Sequence, residues 1–230
     1  MAATEQAAFT PSGRWNEKRD QTARQAATPR SALPRQARSL VRIVGGRLRG
    51  RALAAPKSAA IRPTADRLRE SLFNILIHAY GDPITGARVL DLFAGTGALG
   101  LEALSRGAAF VLFVDDGVEA RALLRQNVEA LGAASVTRIF RRDATKLGPV
   151  YPVEPFALVF ADPPYGKGLA EKALASAHEG GWLTKDALIV VEEAVDAAFA
   201  APTGFEEIER RRYHDSEFVF LKEAGGPSPT

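Results

Sequence analysis

Four aspartates sit at or near the ends of apolar runs: Asp91 in LDLFAGTGALG, Asp115 in AFVLFVDD, Asp143 in VTRIFRRD and Asp162 in VFADPPYG. The last is the most constrained. Two prolines stop and stiffen the chain directly after Asp162, and Tyr165 follows them. Asp-Pro and Pro-Pro are ordinary turn signals, but a plain turn needs neither the acid nor the ring. The Asp162 carboxylate and the Pro163 carbonyl can both accept hydrogens from one exocyclic amine. A nucleobase amine is conjugated and poorly nucleophilic. Two fixed acceptors favour a pyramidal nitrogen whose lone pair can attack a methyl sulfonium in line. The service of such a corner is orientation, with Pro164 keeping it rigid and Tyr165 stacking on an extruded base.

The methyl donor has its own candidate residues. Gly95, Gly97 and Gly100 fit G-x-G-x-x-G between an apolar run and a helical pattern, with Phe93 and Thr96 completing the loop. Glycines there let backbone approach a ligand closely. Asp115 follows at about the 20-residue spacing at which a strand-end acid accepts both hydroxyls of a ribose. That combination admits a dinucleotide or S-adenosylmethionine. Asp91, four residues before the first glycine, suits a cationic amino-acid end, whereas a carboxylate beside a pyrophosphate is repulsive. S-adenosylmethionine is the expected cofactor. Asp143 either receives an adenine amino group or caps the segment after it, and the two roles are compatible.

Other chemistry is excluded by composition. Cysteine is absent, which removes thiolate zinc sites, thiol nucleophiles and, with them, cytosine-C5 methylation. His78, His178 and His214 have no metal-ligand spacing, so no metal is expected. No apolar run reaches the ~20 residues that span a bilayer, and the first residues lack the apolar stretch of a secretory signal. A cytoplasmic location, with no membrane partner, is expected.

The elements that must position these residues follow a simple order. Residues 1–39 are rich in Ala, Arg, Gln, Thr and Pro without a period, and are expected to be a disordered basic tail, as is 225–230 without its charge. LVRIVGGRLRGRAL reads as a hairpin (40–60) turning on Gly45-Gly46. Its second run alternates Arg47, Arg49 and Arg51 against Leu48 and Leu53, either a charged edge that resists aggregation or, as three arginines without acids between them favour, a cationic face for nucleic-acid phosphates. Residues 1–57 hold twelve Lys and Arg against three acids, a net +9, and the remainder is −6. A basic arm on an acidic body suggests a polyanionic partner; a solvated tail with no partner is the alternative reading of residues 1–39. RPTADRLRESLFNILIHAY is a helix with Thr64 as N-cap, an apolar stripe of Leu68, Leu72, Ile75, Leu76 and Ala79, and Arg62, Arg67 and Arg69 on its polar side. From residue 88 strands and helices alternate, the pattern of a parallel, doubly wound α/β sheet. FEEIERRRYH and SEFVFLK close it as an antiparallel pair. In such sheets ligands lie beyond the carboxyl ends of the strands.

These residues carry a resemblance. LDLFAGTGALGLEALSRGA and DPPYG, preceded by RIVGGRLRGRAL and RPTADRLRESLFNIL, resemble the bacterial 16S rRNA guanine-N2 methyltransferases (the RsmD family), from about Arg42 to about Lys222. The Asp-Pro-Pro-Tyr motif alone marks any amino-methyltransferase; the hairpin-and-helix block is more particular. The resemblance implies a Rossmann-like class I methyltransferase domain (61–224), with a mostly parallel seven-stranded sheet and an antiparallel C-terminal strand. It implies S-adenosylmethionine as donor and the N2 of guanine 966 of 16S rRNA, in an assembled or nearly assembled small subunit, as acceptor. By the same likeness Asp91, Phe93, Gly95, Thr96, Gly97, Asp115 and Asp143 line the cofactor site, with Thr64 near its methionine end. Asp162, Pro163 and Tyr165 hold the target, and Arg47, Arg49, Arg51, Arg62, Arg67 and Arg69 meet rRNA phosphates. A monomer is expected. Family members carry acid-x-acid where this chain has Asp115-Asp116-Gly117; side-chain parity favours Asp115 as the ribose acceptor. An adenine-N6 DNA methyltransferase, a nicotinamide oxidoreductase and a non-catalytic ribosome assembly factor are the competing readings.

Overall fold

The computed structural model describes residues 41–56 and 63–224; the tails expected at 1–39 and 225–230 lie outside the described residues. The apolar runs form the strands β1 (Arg88–Leu92), β2 (Phe110–Val114), β3 (Thr137–Phe140), β4 (Phe156–Ala161), β5 (Leu183–Ala194), β6 (Phe205–Tyr213) and β7 (Ser216–Glu223). They make one sheet in the order β3-β2-β1-β4-β5-β7-β6. β3, β2, β1, β4 and β5 pair in parallel. β7 is the reversed strand, antiparallel to both β5 and β6. This is the expected class I architecture.

The helices are α1 (Pro63–Ala79), α2 (Ala98–Ser105), α3 (Val118–Ala130) and α4 (Leu169–Glu179). The pleat assigns them to faces, because successive strand residues point to opposite sides. Val89, Val111, Phe113, Leu158, Phe160 and Val190 pack with Leu72, Phe73 and Leu76 of α1, Leu101 of α2 and Leu124 of α3. The alternate residues Leu90, Leu112, Val159, Ala161, Ile189 and Val191 pack with Ala173, Leu174 and Ala177 of α4 and with Trp182. α1 starts at Pro63, a ring pre-set for the first helical position, so Thr64 lies within the first turn rather than capping it. Its buried stripe runs through Phe73 instead of the exposed Ala79.

The segment before α1 departs from the expected two-residue hairpin. Gly46–Leu48 form a 3-10 turn, Gly50 donates to Ile43 O at 2.8 Å, and the two arms meet in a single bridge, Arg42 with Ala52. The reason is packing: Ile43 and Leu53 are buried in the α1–α3 core, and the backbone between them is held by side chains of α2. Glu102, fully buried, accepts from Val44 N at 2.8 Å and Gly45 N at 2.7 Å. Arg106 pairs with the same carboxylate at 2.8 Å and Arg69 at 3.6 Å. Ser105 Oγ donates to Gly45 O at 2.5 Å and accepts from Leu48 N at 2.9 Å.

Removing one partner of a buried ion pair leaves its companions charged and desolvated, which costs roughly 3–5 kcal/mol. Glu102→Ala should therefore lower the stability read from urea unfolding by about that much and speed proteolytic cutting between residues 45 and 50. A wild-type midpoint would mean that the clamp carries no stability.

Candidate active site

β1 delivers Asp91 to the α1–α3 face of the sheet, 2% exposed. Its Oδ2 accepts from Gly100 N at 2.9 Å. A Cβ at Gly100 would lie 2.4 Å from the Phe113 ring and 2.9 Å from that carboxylate, so only glycine lets α2 approach β1 so closely. Burial pushes the Asp91 carboxyl up to about 8, with the Gly100 amide opposing and Asp115 adding to the rise. The chain then turns sharply: Phe93, at φ +59, is left-handed, a conformation uncommon outside glycine. Gly97 is left-handed too (φ +79), and a Cβ there would meet Leu124 at 2.3 Å.

At the second strand the side-chain directions follow parity. Asp115 ties two loops together, accepting from Gly95 N at 2.8 Å and from Gly117 N at 2.7 Å. Asp116 is exposed. Asp143 caps the 3-10 turn Ala144–Lys146 through Thr145 N (2.9 Å) and Thr145 Oγ1 (2.7 Å), and these bonds hold its carboxyl below the usual range. Between Asp115 and Asp143 opens a cavity of about 270 Å³, walled by Phe93, Thr145, Pro164 and Leu169. Asp115 and Asp143, which the sequence marked at separate strand ends, thus meet around one space with Phe93 and Pro164; Asp91 and Asp162 are not in its wall.

The rigid corner follows β4. Asp162 is exposed, two residues before Pro164 of the cavity wall. Even so, the protein around it, then Glu192, Asp91 and Glu193, push its carboxyl well above the usual carboxylate range. Pro163 is buried, whereas Pro164 and Tyr165 face outward. Tyr165 OH donates to Glu192 Oε1 at 2.8 Å. Burial, then Glu192 and Asp162, raise the phenol far above its ordinary value. Gly166 N donates to the buried Glu193 at 3.0 Å. Ala161 pairs with Val191 across β4 and β5, so Asp162 and Glu192 stand side by side at the sheet edge.

Glu192 and Glu193 were missed by sequence reasoning, although ALIVVEEA carries the same signal as the other runs: acids at the carboxyl end of an apolar strand. Burial raises the Glu192 carboxyl as well, with Tyr165 and Arg69 opposing.

The arginines divide. Arg47, Arg49 and Arg67 are exposed. Arg51 is exposed but spends Nη2 on Ala130 O at 2.6 Å, at the end of α3. Arg69 corrects the sequence reading: it is 6% exposed, bonded to Arg42 O and to Asp66 at 2.9 Å and paired with Glu102, so it faces the interior and cannot meet a phosphate. Arg62 lies outside the described residues, and Thr64 is placed only by its backbone. No group of acids and histidines that could hold a metal ion occurs among the described residues.

The arm also reaches the glycine loop. Asn127 of α3, 1% exposed, accepts from Ala54 N at 2.6 Å and donates to Ala54 O at 3.1 Å and Thr96 O at 2.9 Å.

The chain has recognisable relatives. A family described as "Conserved hypothetical protein 95" matches residues 41–222. A protein of Escherichia coli (strain K12) named ribosomal RNA small subunit methyltransferase D is 41% identical over 156 residues, 68% of this chain and 76% of that one. Its namesake from Haemophilus influenzae is 37% identical over 168 residues, 72% of this chain and 85% of the relative. The solved structure of Escherichia coli yhhF superposes with a TM-score of 0.68 at 34% identity, covering 80% of this chain and 98% of that one.

The raised Asp91 carboxyl makes a stability prediction. Between its ordinary value, 3.8, and about 8, the folded chain keeps a proton that the unfolded chain has lost. Stability therefore falls as pH rises through that window. Asp91→Asn removes the penalty and should raise Tm at pH 8 by on the order of 2–4 °C, with no gain at pH 4. Calorimetric scans at both pH values check this; equal shifts at the two would contradict it.

Proposed function

The chain belongs to the family described as conserved hypothetical protein 95, and from that premise we propose that it methylates small-subunit ribosomal RNA with S-adenosylmethionine as donor. The finer reading is that the acceptor is the N2 amine of guanine 966 of 16S rRNA, in an assembled or nearly assembled subunit, and that the chain works in the cytoplasm as a monomer. The observation that carries it is the alignment of Asp91, Asp115 and Asp162 along one sheet edge, closed by a proline-stiffened corner.

The residues fit the donor. Asp91 is a buried carboxylate without a cationic partner among the described residues, and an α-ammonium group relieves that isolation. Gly97 and Gly100 let the loop and α2 close on Leu124, Phe113 and Asp91, where a Cβ would collide, and Gly95 has only Phe93 O near its missing Cβ. Asp115 has lone pairs left for ribose hydroxyls, and the cavity beside Asp143 accommodates a purine. S-adenosylmethionine, when bound, supplies an electrophilic methyl group.

The remaining steps belong to the protein. Asp162 and the Pro163 carbonyl accept the two amine hydrogens and orient the nitrogen lone pair. Asp162, beside the nitrogen, is the group placed to take up the proton the amine sheds. Tyr165, steadied by Glu192, stacks on the base. The exposed Arg47, Arg49 and Arg67, with Arg51 and Arg62 beside them in sequence, make the phosphate-facing arm, and residues 41–56 serve as an RNA-contact element on the methyltransferase body.

Asp162→Ala should keep binding of S-adenosylhomocysteine yet lose at least ~100-fold in methyl transfer to small subunits from a deletion strain; undiminished transfer would end the mechanism. Reversing charge at Arg47, Arg49 and Arg67 should lower RNA affinity and reduce the slope of log K against log salt by about one for each phosphate that is no longer neutralised. An unchanged slope would mean that the arm faces water in the complex.

A further inference from the structure

A guanine whose N2 amine is held at Asp162 presents a second donor beside it, the ring N1–H. Adenine and 2-aminopurine present a lone pair at the corresponding nitrogen. A site built to receive guanine therefore needs another acceptor next to Asp162, and β5 supplies one. Glu192 follows Val191, the register partner of Ala161, so its carboxylate neighbours that of Asp162 at the same edge and on the same face. One of its oxygens is fixed by Tyr165 OH at 2.8 Å. Oε2 has no hydrogen-bond donor among the described residues, and it is not one of their buried, unsatisfied atoms, so it is open to solvent and free to accept. The ring that stacks on the base and the carboxylate that flanks the amine are thus set in one geometry by one hydrogen bond.

We propose that Glu192 is the specificity-determining residue of the target pocket, its free oxygen accepting N1–H of a purine whose adjacent amine is gripped by Asp162 and Pro163. This rests on the guanine-N2 reading above and deepens it. The discrimination is repulsive as well as attractive: a carboxylate facing the lone pair of a bare ring nitrogen is left unpaired and desolvated, which rejects the wrong base more strongly than the bond rewards the right one. Buried polar groups left without partners are the strongest source of substrate discrimination. The Tyr165 bond, and Arg69 after it, oppose the rise that burial imposes on the Glu192 carboxyl.

The test compares two small subunits reconstituted with 16S rRNA carrying guanosine or 2-aminopurine riboside at position 966. Both bases offer the same exocyclic amine; only guanine offers N1–H. Wild type should prefer guanosine by ~100-fold or more in kcat/KM. In Glu192→Gln, whose carboxamide can offer N–H to the bare nitrogen, that preference should shrink at least ~10-fold. In Tyr165→Phe, which keeps the carboxylate but loses its anchor, both substrates should slow and the ratio should move less than in Glu192→Gln. S-adenosylhomocysteine binding by each variant reports on folding; if the glutamine variant fails it, Glu192→Asp, with the carboxylate drawn back, takes its place in the same comparison. A ratio unmoved by the Glu192 change overturns the inference, as does an equal shift in Tyr165→Phe, which would mean that Glu192 acts only through the ring. A wild type inert toward guanosine subunits overturns the methyltransferase reading and this inference together.

Discussion

Carboxylates resist being crowded, yet Asp91, Asp115, Asp162 and Glu192 stand at one edge of one sheet face. The constraint behind this is the two-residue pleat. Five strands run parallel in register, so their carboxyl ends form a line, and alternate residues on that line share a face. Each acid is the next same-face residue after an apolar one: Val89 precedes Asp91, Phe113 precedes Asp115, Phe160 precedes Asp162 and Val190 precedes Glu192. The core that pins the strands also fixes the acids, and the protein accepts the strain of their mutual repulsion in return. A ligand with a cationic end and an amine-bearing base is the natural remedy for that accumulated charge.

Around this edge the rest of the fold reads as support. α2 carries both Gly100, which lets it close on Asp91, and Glu102, which holds the arm. α3 carries Asn127, which acts as a strand edge for Ala54 while its amide also reaches Thr96 in the glycine loop. The cationic arm and the donor loop are therefore fixed to a common pair of helices. On the proposed function, phosphate contacts made by the arm would orient the RNA relative to the same frame that sets the methyl group.

Much of this was legible in the sequence because periodicity is a strong signal. The alternation from residue 88 onward and the apolar runs between turns marked the strands and the parallel sheet, and the glycine spacing with its neighbouring acids pointed to the edge where the cavity opens. The arm was harder. Gly45-Gly46 is a good local hairpin signal, but the deciding bonds come from Glu102 and Ser105, 57 or more residues away, and no local pattern contains them. Arg69 misled for the same reason: an arginine on the polar side of a helical wheel looks solvated until a buried acid on another helix claims it. Glu192 carried a readable signal and was passed over, since no special motif such as Asp-Pro-Pro-Tyr drew the eye to that strand.

The reversed strand has a consequence for how the molecule is made. β7 lies between β5 and β6, so β6 has no neighbour in the sheet until the later residues of β7 exist. During synthesis the five parallel strands and their helices can assemble first, while β6 waits as a bare edge rich in glutamate and arginine. Those charges discourage it from pairing with another nascent chain. The same charged side chains that make β6 a poor template for aggregation later find opposite partners on β7, Arg210 and Arg212 with Glu217 and Glu206 with Lys222, once β7 slides in as the keystone.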